Sequence, residues 1–324
     1  MILALASLPF SNEIAAELHS LGLVVRERAP LSEFTRFGIG GAVAVLADAF
    51  DEAALIAALK ATPAVVLGEG SNVIAADEGY PGVILRYRGS KIEMDSGAIV
   101  CQTGASLQAL VDFSIERSLA GLHTMTRIPG WVGAALYGNA GAYGNSIGPY
   151  VESVRFTDGA EAREFSNEEC EFRYRESVFK RQKEWVLLSA RVRLPGGDAE
   201  ALRSRADEIQ RVRDAKYPPA MRCAGSIFKN LLVAELPAEL VRALPPKVVI
   251  EGKVPSAWFL EQVGAKGMRR GDIQIADYHA NLIYNDGAGK AADLVSLIAE
   301  VKARVLERFG LALEEEVQYV GFDR

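Results

Sequence analysis

IPGWVGAALYGNAGAYGNSIG, from Ile128 to Gly148, carries six glycines (Gly130, Gly133, Gly138, Gly141, Gly144, Gly148) among alanines, one proline and two asparagines. Glycine costs backbone entropy in any regular element, so a packed core does not call for such a run. A backbone that must approach a large polyanion does call for it, because bare N–H groups can then point at phosphate oxygens. Two shorter stretches share the character: GEGSN at Gly68 to Asn72 and FGIGG at Phe37 to Gly41. Three such loops in the first half of the chain point to one extended cofactor lying across several turns. GEGSN is no dinucleotide fingerprint, since no helix follows it in register, and the chain holds no GKS or GKT of a Walker loop. Taken alone it is weak, and such a turn is more often an ordinary hairpin.

The bulk properties narrow the class. At 324 residues the chain can form two or three domains with their own cores. A net charge of −6 and a pI near 5.4, with no basic block, argue against a nucleic-acid partner. Cys101, Cys170 and Cys223 are few, odd in number and widely spaced, which fits a reducing compartment and gives no zinc pattern. The N-terminal apolar run lacks the basic flank of a signal peptide, and no window reaches the roughly 20 apolar residues of a membrane span. A soluble, cytoplasmic chain is expected, with no membrane insertion and no metal.

Periodicity then places the motifs. Helical spacing is read over residues 11–22 (capped by Ser11 or Asn12), Asp51 to Leu59, Leu107 to Ser118, Ala199 to Ala215, Ala257 to Val263 and Ala291 to Phe309. Strands are read in AVAVLADA, on both sides of GEGSN, and in GVILRYRG, IVCQTGA, VESVRFTDG, AREFS, EWVLLSARVRLP, HANLIYN and LALEEEVQYVG. The class is α+β. A boundary is expected near residues 197–220, where Tyr217-Pro218-Pro219 ends a charged helix.

Four groups outside the glycine loops draw notice. Arg175, in EFRYRESVFK, reads either as part of a solvated charged loop or as a guanidinium that grips a carboxylate bidentately. Ser226, flanked by Gly225, reads as a turn cap or as a proton donor. No GxSxG elbow surrounds it and His19, His123 and His279 form no triad, so nucleophilic attack is disfavoured. His279 lacks companion ligands and reads as a structural hydrogen-bonding group. Among Glu314, Glu315 and Glu316, alternation on a half-buried strand draws one carboxylate into a cleft and leaves open which one.

Taken together, these segments resemble the UDP-N-acetylenolpyruvoylglucosamine reductases, a flavoenzyme family of peptidoglycan precursor synthesis. The resemblance runs from about Leu31 to Gly321. Its ordered motifs are FTRFGIGG, Leu67 to Asn72, Ile128 to Gly144, Tyr174 to Phe179, Ala224 to Asn230, His279 to Asn281 and Leu313 to Val317. The resemblance implies an FAD-binding fold of the vanillyl-alcohol-oxidase (PCMH) type. Its two subdomains would span residues 1–88 and 89–215, with a C-terminal α+β substrate-binding domain at 216–312 and the strand 313–324 returning to the first. It also implies non-covalent FAD and NADPH as co-substrate, in two steps. NADPH reduces the flavin, which then reduces the enolpyruvyl double bond of UDP-N-acetylglucosamine enolpyruvate to give UDP-N-acetylmuramate.

The resemblance further assigns residues. Arg175 would stabilise the enolate-like state, Ser226 would deliver the proton to C2, and Glu316 would act at the same centre. Gly68, Gly70, Ser71, Asn72, Ile128, Pro129, Gly130, Gly133, Asn139, Gly141, Ala142 and Tyr143 would hold FAD; Tyr174, Lys216 and Asn230 would hold the UDP-sugar. Two positions depart from the family pattern. Glu69 stands where glycine is usual, so its carboxylate is expected to point outward, away from a pyrophosphate. Arg127 stands where a small residue is usual and reads either as an extra phosphate contact or as a surface residue. Arg175 and Ser226 are only 51 positions apart, which resembles the shorter, type II reductases and leaves open what closes over the nucleotide. A monomer is expected. The competing readings are a sugar or alcohol oxidase of the same fold and a non-catalytic nucleotide-binding protein.

Overall fold

The four-residue spacing of Leu294, Ile298 and of Val301, Val305 builds the longest helix, Ala291–Phe309, and buries one face of it. Gly310, in the left-handed region at φ 66°, stops it. The structure, a computed structural model, describes residues 8–322. The N-terminal apolar run lies outside the described residues. The chain forms two compact units. The first takes the described chain up to Ala29, then Val43–Glu69 and Pro81–Pro218; the second takes Pro30–Ala42, Gly70–Tyr80 and the chain from Pro219 onward.

In the first unit, Val24–Pro30, Ala42–Ala49, Tyr80–Tyr87 and Ala64–Val66 form a four-stranded sheet in that order. Val45, Ala47, Val83 and Leu85 alternate onto one face and pack with Leu18 of helix Leu8–Ser20 and Leu55 of helix Glu52–Ala61. The other face carries Asp48, whose carboxylate is buried and holds the Arg86 guanidinium at 2.7 Å. A buried charge requires such a partner. A second sheet, Ala162–Ser166, Val151–Thr157, Val186–Val192, Ala98–Gln102 and Ile92–Asp95, is antiparallel throughout. Leu107, Leu110, Val111 and Ile115 of helix Leu107–Glu116 share its core with Phe156 and Phe179. Ser106 accepts from the Ala109 amide and Asp198 from those of Glu200 and Ala201, so both helices of this layer start at a side-chain cap.

The second unit is built on the sheet Arg222–Ser226, Leu282–Asn285, Ile273–Ile275 and Arg269–Arg270. Asp77 accepts from the amides of Ala291 and Ala292, capping the long helix from 214 and 215 positions away.

Several expectations are corrected. The first helix is described from Leu8 to Ser20, so Ser11 and Asn12 lie within it and not at its start. The strands flanking GEGSN do not form a hairpin. Ala64–Val66 runs parallel to Tyr80–Tyr87, whereas Val73–Ala75 runs parallel to Gln318–Val320 in the other unit. The C-terminal strand is confined to Gln318–Val320, with the glutamates before it held by one bridge, Phe228 to Glu315. The glycine run hides a short helix, Val132–Tyr137.

All three cysteines are free and fully buried. Burial pushes the thiols of Cys101 and Cys170 up to about 12 and raises that of Cys223. Burial thus keeps the native thiols protonated and away from reagent. A thiol reagent should therefore leave the folded protein unlabelled and modify all three cysteines after denaturation. Rapid labelling of a native thiol would contradict the burial described.

Candidate active site

The first unit brings the glycine run to Arg175. Tyr174 and Arg175 form the tip of a two-residue turn closed by Arg173 and Glu176, whose backbones exchange hydrogen bonds of 3.0 and 3.2 Å. Arg175 sits at φ 54°, a conformation a non-glycine residue adopts only when its surroundings enforce it. The enforcement is visible: Lys180 Nζ donates to the Arg175 carbonyl at 2.9 Å, and the guanidinium donates to the Gly141 carbonyl at 2.9 Å. Asn139 is buried and braces the same turn, donating to the Arg173 carbonyl at 2.7 Å and accepting from the Gly148 amide at 3.0 Å. Its side chain is thus committed to the protein.

Gly141 and Ala142 pair with Ser146 and Asn145 across a tip of Tyr143 and Gly144. Both tip residues have positive φ, 52° and 80°, the backbone of a type I′ hairpin. A Cβ on Gly141 would lie 2.2 Å from the Asn145 carbonyl oxygen. These glycines therefore answer to the hairpin itself, before any ligand. Tyr143 is exposed at 45%.

GEGSN meets the glycine run at Gly68, where a Cβ would find only Ala134 at 3.8 Å and the Trp131 ring at 4.0 Å. Among the described residues of this unit, the amides of Gly68, Glu69, Gly130 and Trp131 donate to no protein acceptor. Four unpaired donors on two adjoining loops fit a phosphate-bearing cofactor. Glu69 is exposed. The Ile128 amide is used internally, donating to Met125 at 3.0 Å, and Gly133 donates to Thr103 at 2.9 Å. Arg127 closes a two-pronged ion pair on Asp214, with contacts of 2.8 and 2.6 Å, so its charge is spent within the unit. Pro129 precedes Gly130 in the chain, and Lys216 ends the helix Ala199–Lys216, exposed beside the Tyr217 ring.

The second unit brings Ser226 to Glu316. Ser226 ends the strand Arg222–Ser226, just after a bulge: Cys223 faces Tyr284 and Ser226 faces Leu282, one residue more on the first strand than on the second. The Glu316 amide donates to the Ile227 carbonyl at 2.7 Å, and the Lys229 amide to the Glu314 carbonyl at 3.0 Å. Asn72 donates from its side chain to the Glu316 carbonyl at 2.9 Å, and its own carbonyl accepts from Gln318 at 2.9 Å. Gly70, at φ 74°, packs so closely on the Phe34 carbonyl that a Cβ would lie 1.8 Å from its oxygen. FTRFGIGG and GEGSN thus meet at Gly70, and Ser71 joins that glycine to Asn72.

The three glutamates are differentiated. Glu314 pairs with the buried Lys229, and Glu315 pairs with Lys302 and Tyr319. Asn230 accepts from the Ser256 amide at 3.3 Å, a structural contact at the start of the helix Ser256–Gln262. Two roles escaped the sequence: the Asn72 clamp on Glu316, 244 positions away, and the four hydrogen bonds of Asn281. An asparagine in a short turn carries no signal that would single either out. Among the described residues, no three His, Cys, Asp or Glu side chains could hold a metal, and no helix is long and apolar enough to cross a membrane.

Residues 35–162 match the family described as FAD binding domain, and 217–320 the family described as UDP-N-acetylenolpyruvoylglucosamine reductase, C-terminal domain. The UDP-N-acetylenolpyruvoylglucosamine reductase of Solibacter usitatus (strain Ellin6076) is 52% identical over 304 residues, 92% of this chain and 97% of its own. That of Pseudothermotoga lettingae is 35% identical over 89% of this chain and 95% of its own. The crystal structure of the Thermus caldophilus UDP-N-acetylenolpyruvylglucosamine reductase superposes with a TM-score of 0.72, at 29% identity, over 92% of this chain and 99% of that one.

Proposed function

Because the chain belongs to the UDP-N-acetylenolpyruvoylglucosamine reductase family, we propose that Arg175, Ser226 and Glu316 carry its reaction. The protein is an FAD-binding oxidoreductase that uses NADPH to reduce UDP-N-acetylglucosamine enolpyruvate to UDP-N-acetylmuramate. FAD, when bound, supplies the two-electron carrier between NADPH and the enolpyruvyl double bond. The unpaired amides of Gly68, Glu69, Gly130 and Trp131 would hold its phosphates.

Reduction at C3 pushes negative charge onto C2 and the adjoining carboxylate. The Arg175 guanidinium stabilises that charge through paired donors. Ser226 delivers the proton that C2 requires. A serine is a weak acid in water, so its proton must be made labile by its neighbours. Glu316 acts at the same centre, where it polarises the group beside it. The observation that carries this reading is the 2.7 Å bond from the Glu316 amide to the Ile227 carbonyl, next to Ser226. Acid and carboxylate are thereby mounted on one frame. Lys216 suits the substrate diphosphate, and Tyr174 and Asn230 complete the sugar contacts. A cytoplasmic location fits the same reading, since the three buried free cysteines suit a reducing compartment.

The test is anaerobic. The protein is reduced with NADPH, and UDP-N-acetylglucosamine enolpyruvate is then added while flavin absorbance is followed. Bleaching and then recovery on addition of the enolpyruvyl sugar are expected; a flavin that stays reduced would remove the assignment.

A further inference from the structure

We propose that Asn281 is a positioning residue for the Ser226 hydroxyl, a role that rests on Ser226 being the proton donor. Ser226 stands between two constraints. Upstream is the bulge at Ala224 and Gly225, with Gly225 at φ 75°; such an insertion re-aims the side chain that follows it. Downstream, Ile227 and Phe228 are gripped by Asn281. Its Oδ1 accepts from the Ile227 amide at 3.1 Å and from the Phe228 amide at 2.9 Å. Its Nδ2 donates to the Phe228 carbonyl at 2.9 Å and to Ser256 Oγ at 2.7 Å.

That uses both donors and both acceptor sites of the amide. The orientation is unambiguous, because a flipped side chain would set its NH₂ against two backbone N–H groups. Asn281 is 2% exposed, so water cannot replace these bonds. The Ile227 amide also donates to the Asn281 main-chain carbonyl at 3.1 Å, and the Ile227 carbonyl receives the Glu316 amide. The peptide after Ser226 therefore links Asn281 on one side to Glu316 on the other. Its placement sets where the hydroxyl stands relative to that carboxylate's backbone.

Removing the Asn281 side chain leaves the buried Phe228 amide without an acceptor, so the Ile227–Phe228 segment must shift to recover one. A displacement of about 1 Å at a reacting group costs on the order of 10²-fold in rate. Proton transfer from Ser226 should suffer; electron entry from NADPH should not.

The experiment is rapid mixing on the FAD-loaded protein, with Asn281→Ala, Asn281→Asp and, for comparison, Ser226→Ala. In Asn281→Ala, reduction by NADPH should stay within about 2-fold of the unmodified protein, while reoxidation by the enolpyruvyl sugar slows by about 10²-fold with a larger solvent deuterium isotope effect. Asn281→Asp keeps an acceptor for both amides but sets an oxygen against the Phe228 carbonyl, and should recover only part of that loss. Should Asn281→Ala fail to fold, Asn281→Asp and Ser256→Ala, which removes one of the four bonds, carry the same comparison. Reoxidation at the unmodified rate, or an equal loss in both half-reactions with no change in isotope effect, would overturn the proposal. If Ser226→Ala itself reoxidises at full rate, the donor assignment fails instead, and the two failures are told apart.

Discussion

Ser226→Ala is expected to split catalysis in two. Reduction by NADPH persists at its ordinary rate, while reoxidation by the enolpyruvyl sugar slows by about 10²- to 10⁴-fold, the range a positioned general acid contributes. The fold should not notice the change, because Ser226 is partly exposed, and the bulge and the grip of the Asn281 side chain engage the main chain around it and not its hydroxyl. Stopped-flow absorbance of the two half-reactions measures the split directly. Full turnover by the variant would take Ser226 out of the acid role and leave Glu316 as the group beside it. Equal slowing of both half-reactions would place the serine in cofactor binding. Because Glu316 and Ser226 share a backbone frame, their single variants should be less than additive in the double variant.

What the sequence disclosed follows how local each signal is. Helix Ala291–Phe309 is readable because its apolar spacing and the stop at Gly310 are local signals, although its N-terminal cap, Asp77, comes from far along the chain. The short helix Val132–Tyr137 is not, because glycines lie within and beside it. The amides of Val132 and Gly133 are satisfied by the carbonyls of Ala105 and Thr103, a tertiary arrangement no local pattern announces. GEGSN invites a hairpin reading that fails for the same reason: its flanking strands find their partners at Val83–Leu85 and at Gln318–Val320. Alternation in LEEEV could not separate the carboxylates, since Lys229 and Lys302 select among them from distant parts of the chain. The charged neighbours of Arg175 read equally as a solvated loop, and one of them, Lys180, is what holds its strained turn.

The glycine loops carry two kinds of requirement, and a pair of substitutions within GEGSN separates them. Gly70→Ala must place a Cβ 1.8 Å from the Phe34 carbonyl oxygen in a residue held at φ 74°. The left-handed backbone costs an alanine about 1–2 kcal/mol. Displacing a packed carbonyl adds about 1–3 kcal/mol, so a total of roughly 2–5 kcal/mol is expected against a native stability on the order of 10 kcal/mol. The melting temperature should fall by several degrees and the purified protein should lose flavin, because the loop that carries Asn72 to Glu316 is disturbed. Gly68→Ala meets no such obstacle, with its nearest neighbours at 3.8 and 4.0 Å. The apoprotein should melt as before. Its affinity for FAD, measured by fluorescence titration, should weaken by about tenfold, or 1.4 kcal/mol, as the methyl intrudes beside the unpaired amides. An unchanged melting temperature for Gly70→Ala would refute the close approach to Phe34. Unchanged flavin affinity for Gly68→Ala would remove that loop from the cofactor site and leave its amides without a purpose. The two glycines sit two positions apart, with only Glu69 between them, yet one answers to the protein's own carbonyl and the other to a ligand.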